Sequence, residues 1–129
     1  MDAAQALADL TEISSQIEAA VLFDESGAVV GSTLTNDDAG KALAEVAARL
    51  LERTGEFRSG DGAVTQLEAS TGDGNVFVVR AGGRRIVATT GPAPTGGLVF
   101  YDLKSCLRNT DDEPEKPKRV RRKKADDEA

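Results

Sequence analysis

The sequence contains no histidine, no tryptophan and a single cysteine, and each lack removes a class of chemistry. Without histidine the chain has no side chain whose ordinary pKa lies near neutrality, and it lacks the commonest metal ligand. One thiol, Cys106, can form no internal disulfide and cannot build a zinc site alone. No catalytic residue, metal or cofactor is expected, and a reducing cytoplasmic setting fits. Aromatic residues make up only 4% of the 129 residues, which suits one domain with a modest core. No apolar run approaches the roughly 18 residues of a membrane span, and MDAAQALADL lacks the basic-then-apolar pattern of a leader.

Positive charge is scarce in the body of the chain. Residues 1–109 carry nine basic and fifteen acidic side chains, whereas 110–129 carry seven of each, so the net charge of −6 belongs to the body. A body of that sign does not suit nucleic acid. The division predicts a folded domain over 1–109 and a disordered, charged tail over 110–129. Pro114, Pro117 and a lone apolar Val120 leave the tail nothing to bury. Its cluster Lys118, Arg119, Arg121, Arg122, Lys123 and Lys124 is a candidate for weak, salt-sensitive contact with a polyanion.

What is abundant is apolar periodicity. Leu7, Leu10 and Ile13 share a face with Ala3 and Ala6, which predicts an amphipathic helix over 2–15. Ala19 to Phe23 is continuously apolar, Asp24-Glu25-Ser26-Gly27 offers turn chemistry, and Ala28-Val29-Val30 is apolar again, as in a hairpin whose first strand is covered on both faces. A long helix follows over Asp37 to Thr54, capped by Asn36 and ended by Gly55. Ala63 to Ala69 alternates as an edge strand would, and Val76 to Val79 and Arg85 to Thr89 are further strands. Thr95 can cap a last helix in which Val99, Leu103, Cys106 and Leu107 share a face, with Cys106 a small buried hydrophobe. The expected fold is an α+β sandwich: a five-stranded antiparallel sheet with helices on both faces, in the order α-β-β-α-β-β-β-α.

The long helix has a surplus. Ala42, Leu43, Ala44, Val46, Ala47, Leu50 and Leu51 spread over roughly 200°, where a surface helix needs about 100°. Small residues at Ala44, Ala47 and Ala48 would let a second helix approach closely, so a subunit interface is expected there. A helix sunk deep in its own core is the alternative.

This order and its local sequence resemble the Roadblock family of dynein light-chain-like proteins, especially the prokaryotic members. The resemblance runs over residues 3 to 108. It is carried by Leu7, Leu10 and Ile13, the hairpin VLFDESGAVVGS, the alanine-rich helix, Val76-Phe77-Val78-Val79, and Ile86-Val87-Ala88-Thr89-Thr90-Gly91 before the last helix. It implies a Roadblock/profilin-like fold and a homodimer, or a pair with a paralogous chain, in which the long helix packs on its mate and the third strand pairs across the subunits. The implied interface is Ala44, Ala47, Ala48 and Leu51 with Thr65 and Leu67. Family members commonly serve small Ras-like GTPases as adaptors, exchange-factor subunits or activating partners. Lys41, Glu45, Arg49, Glu52 and Arg53, the polar flank of the long helix, are the candidate GTPase contacts.

Other motifs carry less. Asp24-Glu25 lacks the ligand spacing of a calcium loop. No phosphate-binding GxxxxGK[ST] occurs, and GxGxxG is absent from the strand-to-helix junctions. Gly96-Gly97 at a helix start could offer amides to an anion, but loop flexibility is the favoured reason for them. The expected function is a non-enzymatic dimeric regulator or adaptor of a small Ras-like GTPase. The alternatives are a structural or nucleoid-associated dimer presenting basic tails and a ligand-sensing domain of profilin-like shape.

Overall fold

The first helix, α1 (Ala3–Ile13), starts where Asp2 leaves helical geometry and its carboxylate accepts the Gln5 amide at 2.8 Å. It ends at Ser14, whose extended backbone closes one last bond to the Leu10 carbonyl. Asp2, the first residue of the expected 2–15 helix, is therefore its N-cap, and the helix stops short of Ser15, with Ser14 as its C-cap. The chain is seen in a computed structural model that describes residues 2–55 and 65–111.

Strands β1 (Ile17–Asp24) and β2 (Val29–Ser32) form the expected hairpin, with Gly27 at φ +91° in its turn. Helix α2 (Asp37–Gly55) begins on Asn36, whose side-chain oxygen accepts the amides of Asp38 and Ala39 at 2.8 and 3.1 Å. Then come β3 (Gln66–Ser70), β4 (Asn75–Ala81), β5 (Arg84–Thr90) and α3 (Gly96–Asp111). Val99, Leu103, Cys106 and Leu107 are all buried on α3, so the helical period decides a segment that a strand could also have claimed. The third strand starts later than expected: Ala63 lies outside the described residues and Thr65 precedes β3.

All pairings are antiparallel, and the strand order is β2-β1-β5-β4-β3. Helices α1 and α3 cover one face and α2 covers the other, so Ala19 to Phe23, Phe77 to Val79 and Ile86 to Ala88 in the central strands are buried whichever side they face. On the α1/α3 side Leu7, Leu10, Leu22, Phe77, Ile86 and Leu103 make one core. On the other, Val21, Phe23, Val78 and Val87 meet Ala44, Ala47 and Leu51 of α2. That division explains why β1 reads as an unbroken apolar run rather than an alternating one. One expected core residue fails: Ile13 is 73% exposed at the end of α1. Among the described residues no helix is long and apolar enough to cross a membrane. The tail cluster from Lys118 to Lys124 lies outside the described residues.

The β4–β5 ladder closes tightly at one end. A Cβ built on buried Gly74 would stand 2.1 Å from the Thr90 carbonyl oxygen. Because that oxygen belongs to backbone, only a shift of one strand could make room. Gly74→Ala is therefore expected to lower stability by about 1–3 kcal/mol, the usual cost of overpacking, in chemical denaturation. An unchanged midpoint would show that the ladder yields freely there.

Candidate partner interface

Three arcs divide α2. At about 100° per residue, Gly40, Ala44, Ala47, Leu51 and Ala48 cover a sector of roughly 100°. Ala44, Ala47 and Leu51 are buried against the sheet of their own chain, and Ala48 is half-buried beside them. Three of the residues assigned from sequence to a mate are thus occupied within the protomer, because small side chains let α2 settle close onto Val21 and Val87. The surplus apolar surface is real but sits on another arc. Val46 is 43% exposed, Leu43 and Leu50 are half-buried, and Ala39 and Ala42 are exposed.

The third arc carries Lys41, Glu45, Arg49 and Glu52, all exposed, as anticipated. Arg53, also exposed, falls elsewhere: helical geometry puts it one and two turns beyond Leu50 and Val46, at the end of the outward apolar arc. The expected contact set therefore divides between two surfaces.

Beside the polar arc lies a recess of about 390 Å³. Ala48 and Glu52 form one wall, Phe23, Asp24 and Glu25 a second, and Arg80 and Arg85 the third. Sequence reasoning passed over the two arginines. Their cue was available: a two-residue turn at Gly82-Gly83 sets Arg80 directly opposite Arg85. Like charges so placed repel, and each gains if an outside carboxylate or phosphate comes between them. Asp24, by contrast, is engaged. One of its oxygens accepts the Ser26 hydroxyl at 2.6 Å and the amides of Ser26 and Ala28 at 2.9 and 3.1 Å. The Ser26 hydroxyl, then the Ala28 amide, hold this carboxyl below its ordinary pKa.

The free edge of β3 completes the surface. Arg80 donates its amide to the Thr65 carbonyl and Thr71 donates to that of Gly74, so alternation turns the backbone groups of Gln66, Glu68 and Ser70 away from β4. Thr65 is exposed, and Leu67 is half-buried on the α2 side of the sheet.

Solved structures share this fold. A Roadblock/LC7 domain from Streptomyces avermitilis superposes with a TM-score of 0.76 at 20% identity, over 86% of this chain and 96% of that one. The chain has a prokaryotic Roadblock-type fold. A second Roadblock/LC7 domain from Streptomyces avermitilis matches at 0.65 and 25% identity, over 81% of this chain and 94% of that one. The gliding protein MglB of Thermus thermophilus matches at 0.70 and 16%, over 84% of both chains. Comparison with curated proteins gives no match.

By sequence, residues 1–97 also match a family model described as FAD binding domain, FAD_binding_2, and the two findings conflict. Dinucleotide folds hold the pyrophosphate on a glycine-rich turn between a parallel strand and a helix N-terminus. The Roadblock-type sheet here is antiparallel throughout, and the first turn of α2 presents Asp37 and Asp38, which would repel a phosphate. The residues do not fit a flavin.

The hairpin wall of the recess depends on the ionised Asp24. A lowered pKa means that the turn is favoured while the carboxylate is charged, and that this support is lost as pH falls through Asp24's own pKa. In an NMR titration the Ser26 and Ala28 amides should keep their shifts below the pH at which ordinary exposed carboxylates protonate. Midpoints in the ordinary range would refute the anchoring.

Proposed function

We propose that the chain is a non-enzymatic, dimeric regulator that binds a small Ras-like GTPase, in an activating or scaffolding role. The observation that carries the dimer is the outward apolar arc of α2, Leu43, Val46 and Leu50, on the same side of the sheet as Leu67 at the open edge. Burying that arc against its copy removes apolar surface from water without disturbing the residues already in the core. Pairing of the two β3 edges would use the outward backbone groups of Gln66, Glu68 and Ser70. Thr65 and Leu67 then flank the seam, whereas Ala48 lies in the wall of the recess, away from it. One similar solved structure is of MglB with tetrameric arrangement, so association of such domains has a precedent.

The GTPase reading rests on the Roadblock resemblance and on a surface that the dimer leaves open. Glu52 lines the recess and continues the polar arc of Lys41, Glu45 and Arg49 along α2, and Arg80 and Arg85 stand in the recess beside Asp24 and Glu25. Arg53 falls at the seam, where it meets the mate rather than the GTPase. The polyanion reading rests on the tail, outside the described residues, and gains no support from the acidic body. A cytoplasmic location accords with a GTPase partner.

Val46→Arg should turn dimer into monomer in sedimentation velocity while leaving the circular dichroism spectrum of the fold unchanged, since a charge there faces the mate rather than the core; the melting temperature falls only by what dimerisation contributes. An unmodified protein that is monomeric at tens of micromolar would sink the dimer. Arg49→Glu should weaken binding of a host Ras-like GTPase by roughly fivefold and leave the dimer unchanged, as expected of an exposed rim charge. Absence of binding by the unmodified dimer in both nucleotide states would remove the GTPase reading.

A further inference from the structure

On the face of the sheet away from α2, helices α1 and α3 run antiparallel. The Thr95 amide meets the Gln16 side chain at 2.7 Å at one end, and the Cys106 thiol meets the Ala6 carbonyl at 3.6 Å at the other. Between them lies a groove of about 260 Å³ with Ala6, Leu10 and Cys106 in its lining. Its far end is flanked by Ile13 and Tyr101, 73% and 63% exposed, and Leu98, one turn before Tyr101 on α3, is 55% exposed. Only five large apolar side chains are this open among the described residues, and three of them gather here. The thiol is no nucleophile: burial, then the charge of Asp9, pushes its pKa up to about 11.

The charged side chains in the lining of the groove are acidic, and Arg108 stands at its edge, donating to the lining Ser105 hydroxyl at 3.1 Å. Asp9 and Asp102 line it, and no lysine or arginine does. Residues 1–40 hold eight acidic side chains and not one basic residue, so α1 has no cation of its own. Both helices satisfy their own backbones, so an incoming segment gains nothing by pairing as a strand. It must bring its backbone already satisfied and fill the gap with side chains, as a third helix does.

We propose that the α1–α3 groove is a docking site for a basic amphipathic helix of a partner protein, with apolar side chains against Ile13, Leu10 and Tyr101 and lysine or arginine beside Asp9 and Asp102. The chain's own basic run, Lys116 to Lys124, supplies the charge, but Val120 is its single apolar residue, too little to cover the exposed Ile13, Tyr101 and Leu98. Because the groove and α2 lie on opposite faces of the sheet, this partner and a dimer mate do not compete. The regulator would thereby join two proteins.

A synthetic helix of about four turns, with leucines at three- and four-residue spacing and lysines elsewhere, is the probe, and a twin with glutamates for lysines is its control. Against the full-length isotope-labelled chain, the basic peptide should move the NMR signals of Ile13, Tyr101 and Ser105, and the acidic twin should not. Asp9→Lys with Asp102→Lys should weaken the basic peptide about tenfold or more without changing the melting temperature or the oligomeric state. Because Asp9 and Asp102 are half-buried, Ile13→Ser, at a position 73% exposed, serves as a second, uncharged test and should also weaken binding. Equal binding of the acidic twin, shifts confined to α2, or no shifts at millimolar peptide would overturn the proposal. Binding that appears only after residues 112–129 are removed would also overturn it, by making the chain's own tail the occupant.

Discussion

Burial of both faces of one antiparallel sheet is the constraint on which the rest depends. Val21 and Phe23 point to one side of β1 and Ala20 and Leu22 to the other, and all four are almost fully excluded from water. A single helical layer could cover only half of them. The short turns between strands forbid the crossovers that would place helices alternately, so cover has to come from the first and last helices on one face and from the middle helix on the other.

The two layers are unequal, and the inequality generates the surfaces proposed above for binding. Two helices share one face, α1 and α3, and their seam leaves the groove that holds Asp9, Asp102 and the exposed Ile13 and Tyr101. One helix has the other face to itself. It lies over β1, β2 and β5, while Leu67 and Val76 on β3 and β4 stay only half-buried. A domain that covers a five-stranded sheet with one helix on that side leaves part of an apolar face at the water boundary, and association of two copies is the economical way to close it. The charged recess beside α2, bounded by the Asp24 turn and the Arg80/Arg85 pair, is the corresponding polar surplus.

Much of this was legible in advance. Helix and strand periods are local properties, so the element order, the Asn36 cap, the turn at Gly27 and the helical reading of the last segment follow from neighbouring residues alone. So does the excess of apolar surface on the Asp37 helix, because it is a count of residues around one axis. The hairpin register even contained the Arg80–Arg85 pairing, although it drew no notice as a site.

The sequence by itself determined which elements form and that the long helix carries more apolar surface than one partner needs. Only the tertiary structure decided which arc of that helix faces inward. Ala44, Ala47 and Leu51 read as a contact for a mate, yet they lie on the sheet, and Val46 faces out, because the choice between two apolar arcs depends on how closely small side chains let α2 approach β1 and β5. Ile13 shows the same limit from the other side. It shares the apolar period of α1, but the helix ends at the sheet's margin, where no neighbour is left to cover it.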